Sequence, residues 1–251
     1  MNKYRVSIII AAYNSEKCIE RALGSVLRQS FDDWECIVVD GASKDNTMSI
    51  VKKYTELDSR FKYISEPDKG IYDAFNKGWK LAKGEWIYYL GSDDQVTGNG
   101  LSYLIAAATP NASVVYGDMY ALFENGSERY VRAKPAKKMT YIMSPSHQGM
   151  ITQRRLIEAE GGFDLQFKVK ADFDLTQRIY LKHGNFIYTP QAIAKCLQTG
   201  LSRQFNFNHH LERLRIMRKN HSTRFPLLMF WRVEWKVQVK HYILKPLGIR
   251  K

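Results

Sequence analysis

The sequence predicts an α/β fold: a mostly parallel central sheet with flanking helices and a small antiparallel piece, followed by a basic helical extension. Three observations predict it. Residues 6–94 alternate short β-branched or aromatic runs with amphipathic segments, the pattern of strand–helix–strand units with right-handed crossovers. Asn125-Gly126 separates two extended-looking segments, a strong hairpin signal. The C-terminal stretch interleaves Lys and Arg with bulky apolar residues.

The elements follow in order. "VSIII", Val6 to Ile10, is a continuous β-branched run suited to a strand buried on both faces. Behind the cap candidates Asn14 and Ser15, the residues Ile19, Ala22, Leu23, Val26 and Leu27 recur at helical spacing. "WECIVVD", Trp34 to Asp40, reads as a second buried strand, and the loop "GASKDNT" leads into a helix from about Asp45 to Tyr54. "FKYIS", Phe61 to Ser65, is a third strand. Ile71, Phe75, Gly78, Trp79 and Ala82 mark one helix face before a fourth strand, "EWIYYL". Beyond the hairpin, residues 153–160 look helical and end at Gly161-Gly162, and "DFDLTQRIYLKHG" is a helix closed by Gly184. From about Phe207 two helical stretches are broken near Pro226.

The chain has 251 residues, 45% hydrophobic and 13% aromatic, enough for one sizeable packed domain with an appendage. Cys18, Cys36 and Cys196 lie far apart with no C-x-x-C pair, so neither a disulfide framework nor a zinc site is expected, and a reducing cytoplasm fits best. "MNKYRVSIIIAAYN" has too short an apolar run for a signal peptide, and no long apolar span follows. The expectation is a cytoplasmic protein that does not span a membrane. Of the net charge of +13, residues 203–251 supply ten, with 12 Lys and Arg against 2 Asp and Glu.

In open α/β sheets ligands gather beyond the carboxyl ends of the strands. Three predicted strands end in polar groups at that edge: the first in Tyr13-Asn14, the second in Asp40, the fourth in Ser92-Asp93-Asp94. Two adjacent acids suit a hard divalent cation, Mg²⁺ or Mn²⁺, that fills its remaining positions with phosphate oxygens and water. Neighbouring side chains diverge, which directs Asp94 to metal and Asp93 to a nucleotide or sugar. The alternative is a solvated turn with Asp93 as a helix cap.

The run "SIIIAAYNSEKCIERALGSVLRQSFDDWECIVVDGASKDNT", then "SEPDKGIYDAFNKGWKLAKGEWIYYLGSDD", resembles the nucleotide-binding half of family 2 glycosyltransferases of the GT-A fold, which is Rossmann-like. The likeness continues in "VVYGD", "HQGM", "GGFD" and "ADFDLTQRIYLKHG". It implies a catalytic domain over 1–204, with a nucleotide-binding half (1–94) and an acceptor half (95–204), ahead of a basic, aromatic helical tail (205–251). It implies an inverting transfer from a nucleotide-sugar, a UDP-sugar before others, to a hydroxyl of a polysaccharide or lipid-linked glycan in bacterial envelope synthesis.

The resemblance also implies residue roles. Asp40 matches the acid that accepts uracil N3–H; its alternative is a cap of the following loop. Ala12, Tyr13 and Asn14 match the turn that packs against base and ribose. Lys69, Asp73 and Asn76 lie in a segment that lines the nucleotide-sugar pocket, although Lys69 could equally be a solvated charge. The family's D-x-D is here Ser92-Asp93-Asp94, with serine for its first acid, and its last acid, Asp94, is the metal ligand. In "ADFDL" the general base falls on Asp172, which could instead be only an N-cap, and Ala171 replaces the family's preceding acid; Asp174 is expected to be structural. His147 and Gln148 approach the acceptor, or His147 is a satisfied loop histidine. "TGLS", Thr199 to Ser202, partly matches a Gly-Gly-x-Ser element.

In the tail, Phe230, Trp231 and Trp235 stand among cations. Such a helix can lie in a lipid headgroup layer on the inner face of the cell membrane, or pack its apolar side on the catalytic domain. A nucleic-acid-binding role would use the same tail but would leave Asp40, Asp93, Asp94 and Asp172 without work. A dinucleotide-dependent oxidoreductase is disfavoured because "AAYNSE" after the first strand has no G-x-G-x-x-G.

Overall fold

The computed structural model describes residues 4–198 and 207–231, with backbone alone for 207–210. Four parallel strands form one half of the sheet: β1 (Tyr4–Ala12), β2 (Trp34–Asp40), β3 (Phe61–Ser65) and β4 (Gly84–Gly91). They are joined by α1 (Ile19–Leu27), α2 (Thr47–Leu57) and α3 (Ile71–Leu81). Then come β5 (Gln95–Val96), α4 (Gly100–Ala106), β6 (Val114–Leu122), β7 (Glu128–Val131), β8 (Met150–Gln153), α5 (Arg154–Ala159), α6 (Ala171–His183), β9 (Phe186–Leu197) and α7 (Phe207–Lys219). The spatial order is β3-β2-β1-β4-β8-β6-β9-β5, with β7 beside β6.

The parallel half forms where the β-branched runs predict it. Val6, Ile8, Ile9 and Ile10 are fully buried because β1 is central and covered on both faces. Alternate residues feed two cores: Ile9, Ile37, Val39 and Ile87 pack under α3, while Ile8, Ile10, Val38 and Leu90 pack with α1. Burying each such side chain contributes about 1.5–3 kcal/mol. Glu35 lies inside β2 with no exposure, and Lys62, Ser7 Oγ and the Lys83 N–H bond its carboxylate.

The acceptor half differs from the sequence expectation, which places no element at β5, α4, β8 or β9. β8 is the hinge of the sheet, antiparallel to both β4 and β6. The Asn125-Gly126 hairpin forms as β6–β7, with Gly126 at φ 78°. On α3 only the first position departs from the expected face: Ile71 is 49% exposed and Tyr72 is buried instead, its hydroxyl bonded to the Val169 carbonyl and to Asp172, while Phe75, Gly78, Trp79 and Ala82 are buried.

The first helix of the basic tail belongs to the body. Ile216 and Met217 are fully buried in the same core as α3 and α6, and Lys219 Nζ bonds Asp164 at 2.7 Å and Asp174 at 3.1 Å. Residues 226–231 begin a second helix at Pro226. Here Phe230 is buried, whereas Phe225, Leu227, Leu228 and Trp231 are 48–65% exposed. Thr199 to Ser202 and Trp235 lie outside the described residues. Among the described residues no helix is long and apolar enough to cross a membrane.

Candidate active site

Parallel pairing brings the carboxyl ends of the strands to one edge. Ala12 pairs with Asp40, Asp40 with Ser65, and Ala11 with Gly91. The residues that follow each strand therefore meet without any long reach.

The turn after β1 is tied to the loop after β2. Asn14, at φ 48°, adopts the left-handed conformation that Asn tolerates. Its N–H donates to Ser43 Oγ (2.8 Å) and its Oδ1 accepts from the Lys44 N–H (2.9 Å). Ser15 N–H donates to Thr47 Oγ1 at 2.7 Å, and its hydroxyl lies 3.0 Å from Ser92 Oγ, joining the turn to the end of β4. Ala12 is buried, and Tyr13 projects with 62% exposure, an aromatic face open at the strand edge.

Asp40 is fully buried, and its carboxylate accepts from Ser43 N–H (3.0 Å), Ser43 Oγ and Ser65 Oγ (2.6 Å). The geometry is that of an acid capping its own loop. Lys69 is exposed; its N–H donates to Asp73 Oδ2 (3.0 Å), so Asp73 caps the entry to α3. Asn76 points away from the strand edge: its amide bonds both the N–H and C=O of Phe163 and accepts from Trp79 Nε1.

Asp93 and Asp94 converge over Gly91. A Cβ placed on that glycine would lie 2.7 Å from Asp94 Oδ2 and 2.8 Å from Asp93 Oδ1, so a larger side chain would fill the space between the carboxylates. Asp94 is buried, and its Oδ1 accepts from the Leu197 N–H at 3.1 Å, which pins the turn to β9. Ser92 and Cys18 adjoin this pair, and burial followed by the Asp93 charge pushes the Cys18 thiol up, keeping it protonated. Two carboxylate oxygens beside one small space fit a divalent cation that draws its other ligands from phosphate and water. Among the described residues no group of three or more His, Cys, Asp or Glu is placed to hold a metal ion.

Asp172 lies in the first turn of α6 and meets the start of α3 through Tyr72. Its Oδ1 accepts from the Phe173 N–H (2.8 Å) and lies 3.2 Å from the Tyr72 hydroxyl, which also bonds the Val169 carbonyl (2.7 Å). Burial, and then the Asp172 charge, holds the Tyr72 hydroxyl well above its ordinary value. His147 is buried beside them, its ring stacked on Tyr89 at 5.0 Å and edge-on to Phe75 and Phe163. Burial lowers the His147 pKa while the Asp172 charge acts against that shift. Gln148 is half-buried; its carbonyl accepts from Tyr88 (2.7 Å) and its side chain from Ser146. Asp174, in contrast, is sealed among Arg178, Lys219 and Asn220.

Several residues of the site carry no sequence signal for it. Tyr89 reads only as a strand aromatic and Tyr72 falls off the expected face of α3, and tertiary contact alone puts Tyr72 beside Asp172 and Tyr89 beside His147. Asp118 in "VVYGD" is buried and binds Tyr130, Tyr188 and the Ala133 N–H, which fixes the loop after β7.

Residues 7–170 match the family model described as Glycosyl transferase family 2. The chain is 30% identical over 178 residues to a PGL/p-HBAD biosynthesis glycosyltransferase of Mycobacterium bovis, covering 69% of each. It is 39% identical over 129 residues to the Escherichia coli UDP-Glc:alpha-D-GlcNAc-diphosphoundecaprenol beta-1,3-glucosyltransferase WfgD, covering 51% of this chain and 50% of that one. The fold matches residues 1–349 of S. aureus TarS in complex with UDP with a TM-score of 0.66 at 22% identity, over 86% of this chain and 65% of that one.

Proposed function

Because the chain belongs to glycosyl transferase family 2 and is a glycosyltransferase, we propose that it transfers a hexose or N-acetylhexosamine, with inversion, from a UDP-sugar to a hydroxyl of a polysaccharide or lipid-linked glycan in bacterial envelope synthesis. The observation that carries this reading is the convergence of Asp93 and Asp94 over Gly91 at the end of β4; the hold of the Tyr72 hydroxyl on Asp172 supports the base assignment. The likeness to the E. coli UDP-Glc:alpha-D-GlcNAc-diphosphoundecaprenol beta-1,3-glucosyltransferase WfgD supports the donor and acceptor class.

In this reading Tyr13 offers its ring to the base, and the Asp40-braced loop shapes the uracil pocket. Lys69 lies at its mouth. Asp94 would hold Mn²⁺ or Mg²⁺, with Asp93 turned to the nucleotide or sugar, and the bound cation would offset the charge growing on the departing diphosphate. Asp172, with Oδ2 free of protein partners among the described residues, takes the acceptor hydroxyl proton on the face opposite the diphosphate. Tyr72 remains protonated and orients that carboxylate. His147 and Gln148 border the acceptor side.

The catalytic domain extends over 1–204 in this division, with α7 docked onto it. Contact with the inner membrane face is proposed for the helix starting at 226, where Leu227, Leu228 and Trp231 are exposed and Arg218 and Arg224 stand nearby in sequence.

The test is calorimetric binding of UDP with Mn²⁺ and with excess chelator, on the native chain and on Asp172→Asn. Saturable, metal-dependent binding in both, with turnover lost only in Asp172→Asn, is expected. Full turnover by Asp172→Asn would remove the base assignment, and UDP binding unaffected by chelator would remove the metal.

A further inference from the structure

We infer that Glu212, on helix α7, is a positioning residue for the active-site carboxylate Asp172. The inference rests on the reading of Asp172 as the base. Residues 164–170 cross between the Gly161-Gly162 turn and α6 outside any helix or strand. Three successive N–H groups in that crossing point at one carboxylate. Glu212 Oε1 accepts from Lys168 at 2.9 Å, and Oε2 accepts from Val169 at 3.1 Å and Lys170 at 3.0 Å. Consecutive N–H groups that converge in this way form an anion-binding concavity, and here the anion is supplied by the chain itself.

The opposite side of the same segment is held from the donor half. The Tyr72 hydroxyl of α3 bonds the Val169 carbonyl at 2.7 Å and lies 3.2 Å from Asp172 Oδ1. The Val169–Lys170 backbone, two to three residues before Asp172, is thus clamped between α7 and α3. The helix that carries Glu212 is in turn fixed by buried Ile216 and Met217 and by Lys219 on Asp164 and Asp174. A carboxylate is required because it offers acceptors at both ends. In a Glu212→Gln variant the side-chain amide would set an NH₂ donor against at least one backbone N–H and lose charge assistance.

The reaction depends on the placement of Asp172 to within fractions of an ångström, and a shift of about 1 Å costs on the order of 100-fold. Glu212→Gln and Tyr72→Phe are therefore expected to lower kcat by roughly 10–100-fold while donor KM and UDP affinity stay within about twofold. Turnover is read as UDP release from UDP-glucose and UDP-N-acetylglucosamine with water as acceptor, and is normalised to UDP-binding sites so that unfolded protein does not count. Amide hydrogen exchange supplies a readout independent of substrate: Lys168, Val169 and Lys170 should be protected in the native chain and lose protection in Glu212→Gln. Glu212→Asp, which keeps the charge but withdraws it by one methylene, is the second variant and should fall between.

Unchanged turnover per site, or unchanged exchange at 168–170, in Glu212→Gln would overturn the inference while an inactive Asp172→Asn left the base standing. Loss of UDP binding together with kcat would reduce Glu212 to a general structural role and overturn it as well. Full turnover by Asp172→Asn would remove the base and this inference with it.

Discussion

Replacing Asn76 with Ala separates two roles that one residue cannot easily hold together. The side chain makes three hydrogen bonds: Nδ2 to the Phe163 carbonyl (2.8 Å), and Oδ1 from the Phe163 N–H (2.9 Å) and from Trp79 Nε1 (3.0 Å). Gly162 sits against it at φ 75°, so close that a Cβ there would come within 2.4 Å of Asn76 Oδ1. Asn76 therefore locks the Gly161-Gly162-Phe163 turn onto α3. The lock also holds Phe163 in the aromatic group of Tyr72, Phe75, Tyr89 and His147. Truncation strands three polar groups in a partly buried setting. At about 1 kcal/mol per net bond, with part of the desolvation cost of each unpaired group added, the loss is about 2–4 kcal/mol. Urea unfolding reads it directly: with a slope of roughly 2–3 kcal/mol/M the midpoint falls by about 1 M, and UDP affinity of the folded protein is unchanged. A stability change within about 0.5 kcal/mol, as for an ordinary surface substitution, combined with lost UDP affinity would refute the lock and return Asn76 to the pocket wall.

Two further outcomes follow from the same geometry. Burial holds the His147 imidazole below its ordinary 6.5, so between that lowered value and 6.5 the unfolded chain binds more protons than the folded one, and stability from this group is lost as pH falls through that window. His147→Phe should flatten the dependence of the urea midpoint on pH there; an unaltered slope would show that His147 does not contribute. Leu228 and Trp231 are 65% and 59% exposed, and each contributes up to about 1.5–3 kcal/mol if buried in lipid. The double variant Leu228→Glu, Trp231→Glu should lower sedimentation with phosphatidylglycerol-containing vesicles at least about tenfold with UDP binding intact, and retained vesicle binding would count against this contact.

The parallel half of the sheet, and the edge where its chemistry gathers, are legible in the chain without any fold to consult. Runs such as Val6–Ile10 and Trp34–Asp40, and the helical spacing of Ile19, Ala22, Leu23 and Val26, are local patterns of burial, and each strand end carries its polar residues with it. A parallel crossover then aligns those ends, so Asp40, Asp93 and Asp94 could be placed at one edge without knowledge of any long-range contact. The rest depends on packing at a distance. β8 has four residues, and β9 carries Pro190 and a mixed burial pattern, with register breaks against β6, so neither shows a clean period. The partners that define Asp40, Asn76 and Asp172 come from Ser65, Phe163 and Tyr72, which are 25, 87 and 100 residues away, and Glu212 reaches its three amides across 42 to 44 residues. Hydrogen bonds of short polar side chains leave no periodic trace in a chain, because their partners are chosen by where the packed helices and strands bring the backbone, and that choice exists only once the core has formed.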